Sequence, residues 1–304
     1  MLKVPRRYVD IFNIVLILAT CALAHYFPYH LLVASYAVLG PAHYLTQISW
    51  LHDRNYFAHS RLLAPAITIC AVILVMLFFY TGNGSGALCC AVFALALGLA
   101  AVSIIPPDNI ALRCMAGLAG LLLCLIAFLS PTTALLISAF LPTILHIFVF
   151  TAAFMWVGAV KSGKIAAYLA VVVLLVCAAT FFIPTLTKTV PDLTGLAFFR
   201  PLVVLMQNFL GMSQTTETQL FGFLSFAYTY HYLNWFSKAD VINWHQIPRQ
   251  RMLIIVLIYA GTIAAYVYNY AVGYLLILLL AHLHVMLEFP LNMRTFAVLA
   301  GRRG

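Results

Sequence analysis

Five histidines, His43, His146, His231, His282 and His284, lie within long apolar stretches of the sequence, and Glu288 follows closely behind the last of them. An ionisable ring in hydrocarbon costs free energy unless a partner satisfies it, so such residues point to function. The histidines come from four separate apolar segments. Imidazoles projecting inward from several helices are what a metal or haem site inside a bundle requires. A donor set rich in imidazole and poor in carboxylate suits iron, copper or zinc.

Each histidine has an informative neighbourhood. His43 follows Pro41 in Gly40-Pro41-Ala42-His43-Tyr44, where a residue without an N–H is expected to kink the helix. His146 has no charged neighbour for many residues and needs partners for both ring nitrogens. His231 sits in an aromatic run, and helical spacing puts Tyr228, His231 and Trp235 on one face. With Tyr232 these side chains suit a long apolar or conjugated substrate. His284 and Glu288 share a face as ligand and orienting or proton-moving carboxylate, whereas His282 and His284 diverge by about 200° around a helix. His284 is therefore the favoured ligand of the pair. His52 and His245 form a second, interfacial set of candidates, placed where Trp and His also serve as ordinary anchors.

These residues must be positioned by membrane helices. The chain is 65% hydrophobic and 8% charged, with a mean hydropathy of +1.05, which excludes an ordinary soluble domain. Apolar runs of roughly 20 residues, each able to cross about 30 Å of hydrocarbon, recur at 9–27, 30–51, 61–81, 86–106, 109–130, 132–160, 164–184, 216–237, 250–270 and 272–293. Segment 193–211 is apolar but interrupted by Arg200, Pro201 and Asn208, so it reads as surface-lying or re-entrant. The expectation is an all-α, polytopic transmembrane helix bundle of about ten spans, with residues 1–304 forming a single integral membrane domain.

Charge sets the orientation. Alternate loops hold Arg54, Arg61, Arg113, Lys161, Lys164, Lys238, Arg249 and Arg251, and both ends of the chain are basic. Only Lys188 and Arg200 fall on the other side. That asymmetry predicts both termini in the cytoplasm, in a multi-pass protein of a bacterial inner membrane. The net charge of +9 is then a topology signal and an attraction to anionic lipid headgroups, with no nucleic-acid partner implied. The seven cysteines all fall in predicted spans without a C-x-x-C pair and read as packing residues. Counted back from the cytoplasmic ends of their spans, His43, His146, His231 and His284 all sit about 10–20 Å deep at 1.5 Å per residue, so a shared site is geometrically open to them.

The Gly40-Pro41-Ala42-His43 stretch in an early span, with isolated intramembrane histidines later, resembles the Brp/Blh-type β-carotene 15,15′-dioxygenase family. The resemblance implies a helix bundle holding one iron by four histidines and cleaving a carotenoid, with His43 as the equivalent ligand. The expected activity is that of an Fe(II)-dependent oxygenase, an oxidoreductase acting on a lipophilic, isoprenoid substrate. Two alternatives remain: a histidine-based transporter, and a haem-binding electron-transfer protein. The sequence carries no P-loop, dinucleotide fingerprint or nucleophile elbow, and it is silent on oligomeric state.

Overall fold

The computed structural model describes residues 9–54, 62–80, 86–105, 109–129, 144–183, 207, 217–238 and 247–299. Among them every regular element is helical. They are α1 (Val9–Tyr26), α2 (Pro28–Ala34), α3 (Gly40–Asp53), α4 (Leu63–Tyr80), α5 (Gly86–Ile104), α6 (Ile110–Leu129), α7 (Thr151–Ser162), α8 (Ile165–Thr180), α9 (Glu217–Ser237), α10 (Arg249–Tyr268) and α11 (Tyr270–Leu299). Two π-helical segments, Ser35–Leu39 and Leu145–Phe150, lead directly into α3 and α7. Predicted segment 193–211 and the first part of the 132–160 span lie outside the described residues, apart from Gln207.

This is a membrane protein by its helices. Val9–Tyr26, Leu145–Ser162, Arg249–Tyr268 and Tyr270–Asn292 are each long and apolar enough to cross a bilayer, and Leu63–Leu77, Leu88–Ala101, Ile110–Leu123 and Ile165–Thr180 are shorter apolar helices. Their outer faces carry large apolar side chains: Leu118, Leu121 and Leu125 on α6, Leu169, Val172 and Val176 on α8, Leu253, Val256 and Leu257 on α10. Polar residues such as Gln47, Gln219 and Asn292 are buried instead. Such contiguous apolar exposure is what lipid covers.

The chain falls into two compact units, residues 1–43 with 144–251, and residues 44–143 with 252–304. In the first unit α9 is central. Its residues from Thr218 to Tyr230 are all buried, as expected for a helix with no polar face. It packs against α1, α2 and both π segments. Small residues, Gly222, Ser225 and Ala227, let neighbouring backbones come close. Polar contacts fix the register: Tyr29 bonds Thr218 at 3.0 Å, Ser35 bonds Thr229, and the Tyr230 hydroxyl donates to Asn13 at 2.8 Å.

In the second unit α4 and α5 pack together, α6 lies on α5, and α11 packs on both α4 and α5. Leu51, Ile67, Leu74, Phe93, Met286 and Phe289 are core residues there. The α10–α11 hairpin turns on one residue. Asn269 caps α11 by accepting the N–H groups of Ala271 and Val272 at 3.0 and 3.2 Å. Gly273 then lies so close to α10 that a Cβ built there would stand 2.1 Å from Tyr266 Cα. Only glycine fits.

The predicted span 30–51 is not one uniform α-helix. The N–H of Gly40 bonds the carbonyl of Ser35, five residues back, so the turn before Pro41 is widened. A proline that follows such a turn occupies the first turn of α3, where its missing donor costs little.

Candidate metal centre

The structure gathers His43, His146 and His231 in the first unit. His43 lies at the start of α3, His146 in the second π segment and His231 on α9. His43 and His146 are 0% and 2% exposed, and His231 is partly buried. The His231 ring is 4.7 Å, centroid to centroid, from both His43 and His146, and crosses each steeply, at 77° and 67°. One ring nitrogen of each of the three lies within 4.8 Å of the others.

The protonation of His231 follows from its neighbours. The Thr151 hydroxyl donates to the carbonyl of Ile147 at 3.0 Å. A hydroxyl has one proton, so at its 2.8 Å contact with His231 Nδ1 the Thr151 oxygen accepts and Nδ1–H donates. Nε2 of His231 therefore carries the lone pair. It faces His43 Nε2 at 3.0 Å. Two imidazole nitrogens bound cis to one ion at about 2.1 Å stand about 3.0 Å apart, and in a tetrahedral site about 3.4 Å apart. The donor set fits a metal: neutral imidazoles, a lone pair aimed by an acceptor behind the ring, and crossed ring planes around one point.

The predicted substrate aromatics divide. Tyr232 and Trp235 flank the cluster, with ring centroids 5.1 and 5.4 Å from that of His43. Tyr228 stands one turn further along α9, edge-on to Tyr36 at 6.0 Å and 5.8 Å from Tyr232. Together with Tyr36 they form an aromatic seam along the first π segment and α9 that leads to the histidines.

The late histidines lie in the second unit. His284 is buried, 2% exposed, whereas His282 is half-buried. Nδ1–H of each donates to the carbonyl four residues back, at 3.3 Å for His284 and 2.9 Å for His282, which leaves Nε2 of each as the lone-pair nitrogen. The His284 ring stacks on Tyr44 at 4.3 Å and 22°, and Tyr44 directly follows His43 in α3. Glu288 is buried and accepts a hydrogen bond from the Gln47 amide. His52 is exposed, with Nδ1 3.4 Å from Asp53, in keeping with a boundary position. His245 lies outside the described residues.

Sequence reasoning did not single out Thr151, Tyr44 or Gln47. Thr151 had a signal: a lone hydroxyl five residues after His146 in an apolar run. The partners of Tyr44 and Gln47 lie some 240 residues away and left none. No protein-family model matches the chain, and no match is found among curated proteins or among solved structures.

Proposed function

We propose that the protein is a membrane-embedded metal enzyme, an iron-dependent oxygenase acting on a long apolar substrate of the isoprenoid or carotenoid kind. The observation that carries this reading is the Thr151–His231–His43 relay, in which a hydroxyl fixes one imidazole tautomer and aims its lone pair at a second imidazole. His43, His146 and His231 are the ligands it rests on, and His284 is the fourth ligand that the sequence suggests. Bound iron would supply dioxygen activation. The chain's own residues hold the ligand geometry, exclude water through the buried Tyr232, and seat the substrate along Tyr228, Tyr232 and Trp235.

Haem fits the geometry less well. Two axial histidines place their nitrogens about 4 Å apart on opposite faces of a porphyrin, whereas His43 and His231 are 3.0 Å apart with a third imidazole beside them. In this reading the chain has about ten spans with both termini cytoplasmic, in a bacterial inner membrane.

Elemental analysis of detergent-purified protein reconstituted with Fe(II) tests the proposal. The expected result is near-stoichiometric iron, lost on replacing His43, His146 or His231 with Ala. Full loading in all three variants, or none in the wild type, would overturn it. Cells that accumulate β-carotene and express the protein should lose colour, whereas cells expressing the His231→Ala variant should keep it.

A further inference from the structure

Two cysteines and a histidine from distant stretches of chain meet in the first unit, where α1 packs on α8. The two helices run side by side in the same direction. Lys164, the residue before α8, pairs with Asp10 in the first turn of α1 at 3.6 Å, and the last turns of both helices meet at the other end. There Cys21 is 8% exposed and Cys177 6%, and their thiols are in side-chain contact. Cys21 Sγ also lies 3.9 Å from the Cys177 carbonyl oxygen and 3.8 Å from the Thr180 hydroxyl. That hydroxyl donates to the same carbonyl at 2.6 Å, so it accepts Nε2–H of His25 at 2.8 Å. The His25 ring stacks on Phe181 at 4.0 Å and 11°. Both cysteines are free thiols.

A buried cysteine by itself packs as a small apolar side chain. Two thiols in contact across a pair of helices can also join, because a disulfide needs neighbouring backbones whose side chains point at one another. Exchange proceeds through a thiolate, and the Cys177 thiol and the Thr180 hydroxyl are donors that can turn to Cys21 Sγ when it carries the charge. Position adds to this. Under the orientation read from charge, Lys164 and Asp10 mark the cytoplasmic end of these helices. The thiols then lie near the outer end, on the side where disulfides form and persist. We propose that Cys21 and Cys177 are a dithiol–disulfide pair that links α1 to α8, with a disulfide of the outer compartment as oxidant. The Cys21 thiolate attacks the oxidant's S–S bond and releases one thiol. The Cys177 thiolate then attacks Cys21 Sγ and releases the second. The two cysteine protons pass to the two released thiols, and the two electrons reduce the oxidant as the Cys21–Cys177 bond forms. The bond joins residues 156 apart and staples two helices that both pack on α9, the carrier of His231. This gives two cysteines a redox role in place of the packing role that their apolar surroundings suggest, and it takes only the orientation from the proposed function.

The test uses the full-length protein in its own membrane. Cells are quenched in acid and free thiols are blocked with N-ethylmaleimide under denaturing conditions. The protein is then reduced and labelled with a second maleimide of different mass, and its peptides are weighed. The expected result is the second label on Cys21 and Cys177 and the first label on the other cysteines. Without the reduction step the two peptides should appear joined and two hydrogens lighter. This mapping needs no variant, so it holds should a substitution prevent folding. In detergent, the wild type treated with oxidised glutathione should melt at a higher temperature than the reduced protein, because the closed loop restricts the unfolded chain. That difference should vanish in Cys21→Ala and in Cys177→Ala. Free thiols at both positions in cells, a bond from either one to a third cysteine, or a redox-dependent midpoint that persists in both variants would overturn the proposal. Fusions at the C-terminus report separately on the orientation, and iron content on the histidine centre.

Discussion

Replacing Thr151 with Val tests the aiming of His231 with little change in shape. Valine keeps the volume and branching of threonine and removes the oxygen that accepts His231 Nδ1–H at 2.8 Å. A buried donor left without an acceptor costs about 1–3 kcal/mol. Part of that cost is escaped if the imidazole moves its proton to Nε2, but that tautomer cannot bind metal through Nε2. Either way metal binding loses about 1–3 kcal/mol, which agrees with the roughly 10–100-fold cost of removing a partner behind a ligand. The hydroxyl's second bond, to Ile147 at 3.0 Å, joins residues four apart in one helix, so the fold should tolerate its loss. Competition against a chelator of known affinity measures the effect. The expected result is a Kd raised about 10–100-fold in Thr151→Val and restored to within a few-fold of wild type in Thr151→Ser. Wild-type affinity in Thr151→Val, alongside lost binding in His231→Ala, would refute the reasoning, because His231 would then be oriented by something other than this hydroxyl.

Other outcomes follow from the same contacts. Gly273→Ala forces a Cβ to 2.1 Å from Tyr266 Cα, and should cost more than the roughly 1–3 kcal/mol of ordinary overpacking, read as a lowered thermal midpoint. Asn269→Leu removes the cap of α11 and should cost about 1 kcal/mol by the same measurement. Lys164→Ala breaks an ion pair with Asp10 at 3.6 Å that is half open to solvent, and should change stability by less than about 1 kcal/mol. Fluorescent-protein and alkaline phosphatase fusions at the C-terminus report its side of the membrane; cytoplasmic placement predicts a fluorescent fusion and an inactive phosphatase.

The helices were legible in the sequence because hydropathy and length are local properties. Ile110–Leu129 lies within a residue of its predicted span at each end, and His43, His146 and His231 could be matched by depth because a helix rises evenly. What could not be read is what depends on distant pairing. The Gln47–Glu288 bond joins residues 241 apart, and no periodicity announces it. His282 and His284 could be told apart by angle, but their surroundings depend on the neighbours of α11: His284 is the more buried of the two and stacks on Tyr44. The π segments escaped for a different reason. A run such as Leu145-His146-Ile147-Phe148-Val149-Phe150 is equally apolar in either helical form, so its composition carries no sign of the wider turn.

Each π segment acts as a one-residue frameshift in the helix that contains it. The wider turn takes up one extra residue, so the helix on either side keeps its facing. His146 lies inside such a segment and Thr151 just after it, so deleting Val149 would rewind the segment to an ordinary helix and re-aim the imidazole within it, while the helix on either side keeps its seating. The same deletion in an uninterrupted stretch would disturb the seating of every later residue. Here it would straighten a helix and dismantle a centre, so ligand geometry could be tuned by chain length alone, with no change in the kinds of side chain present.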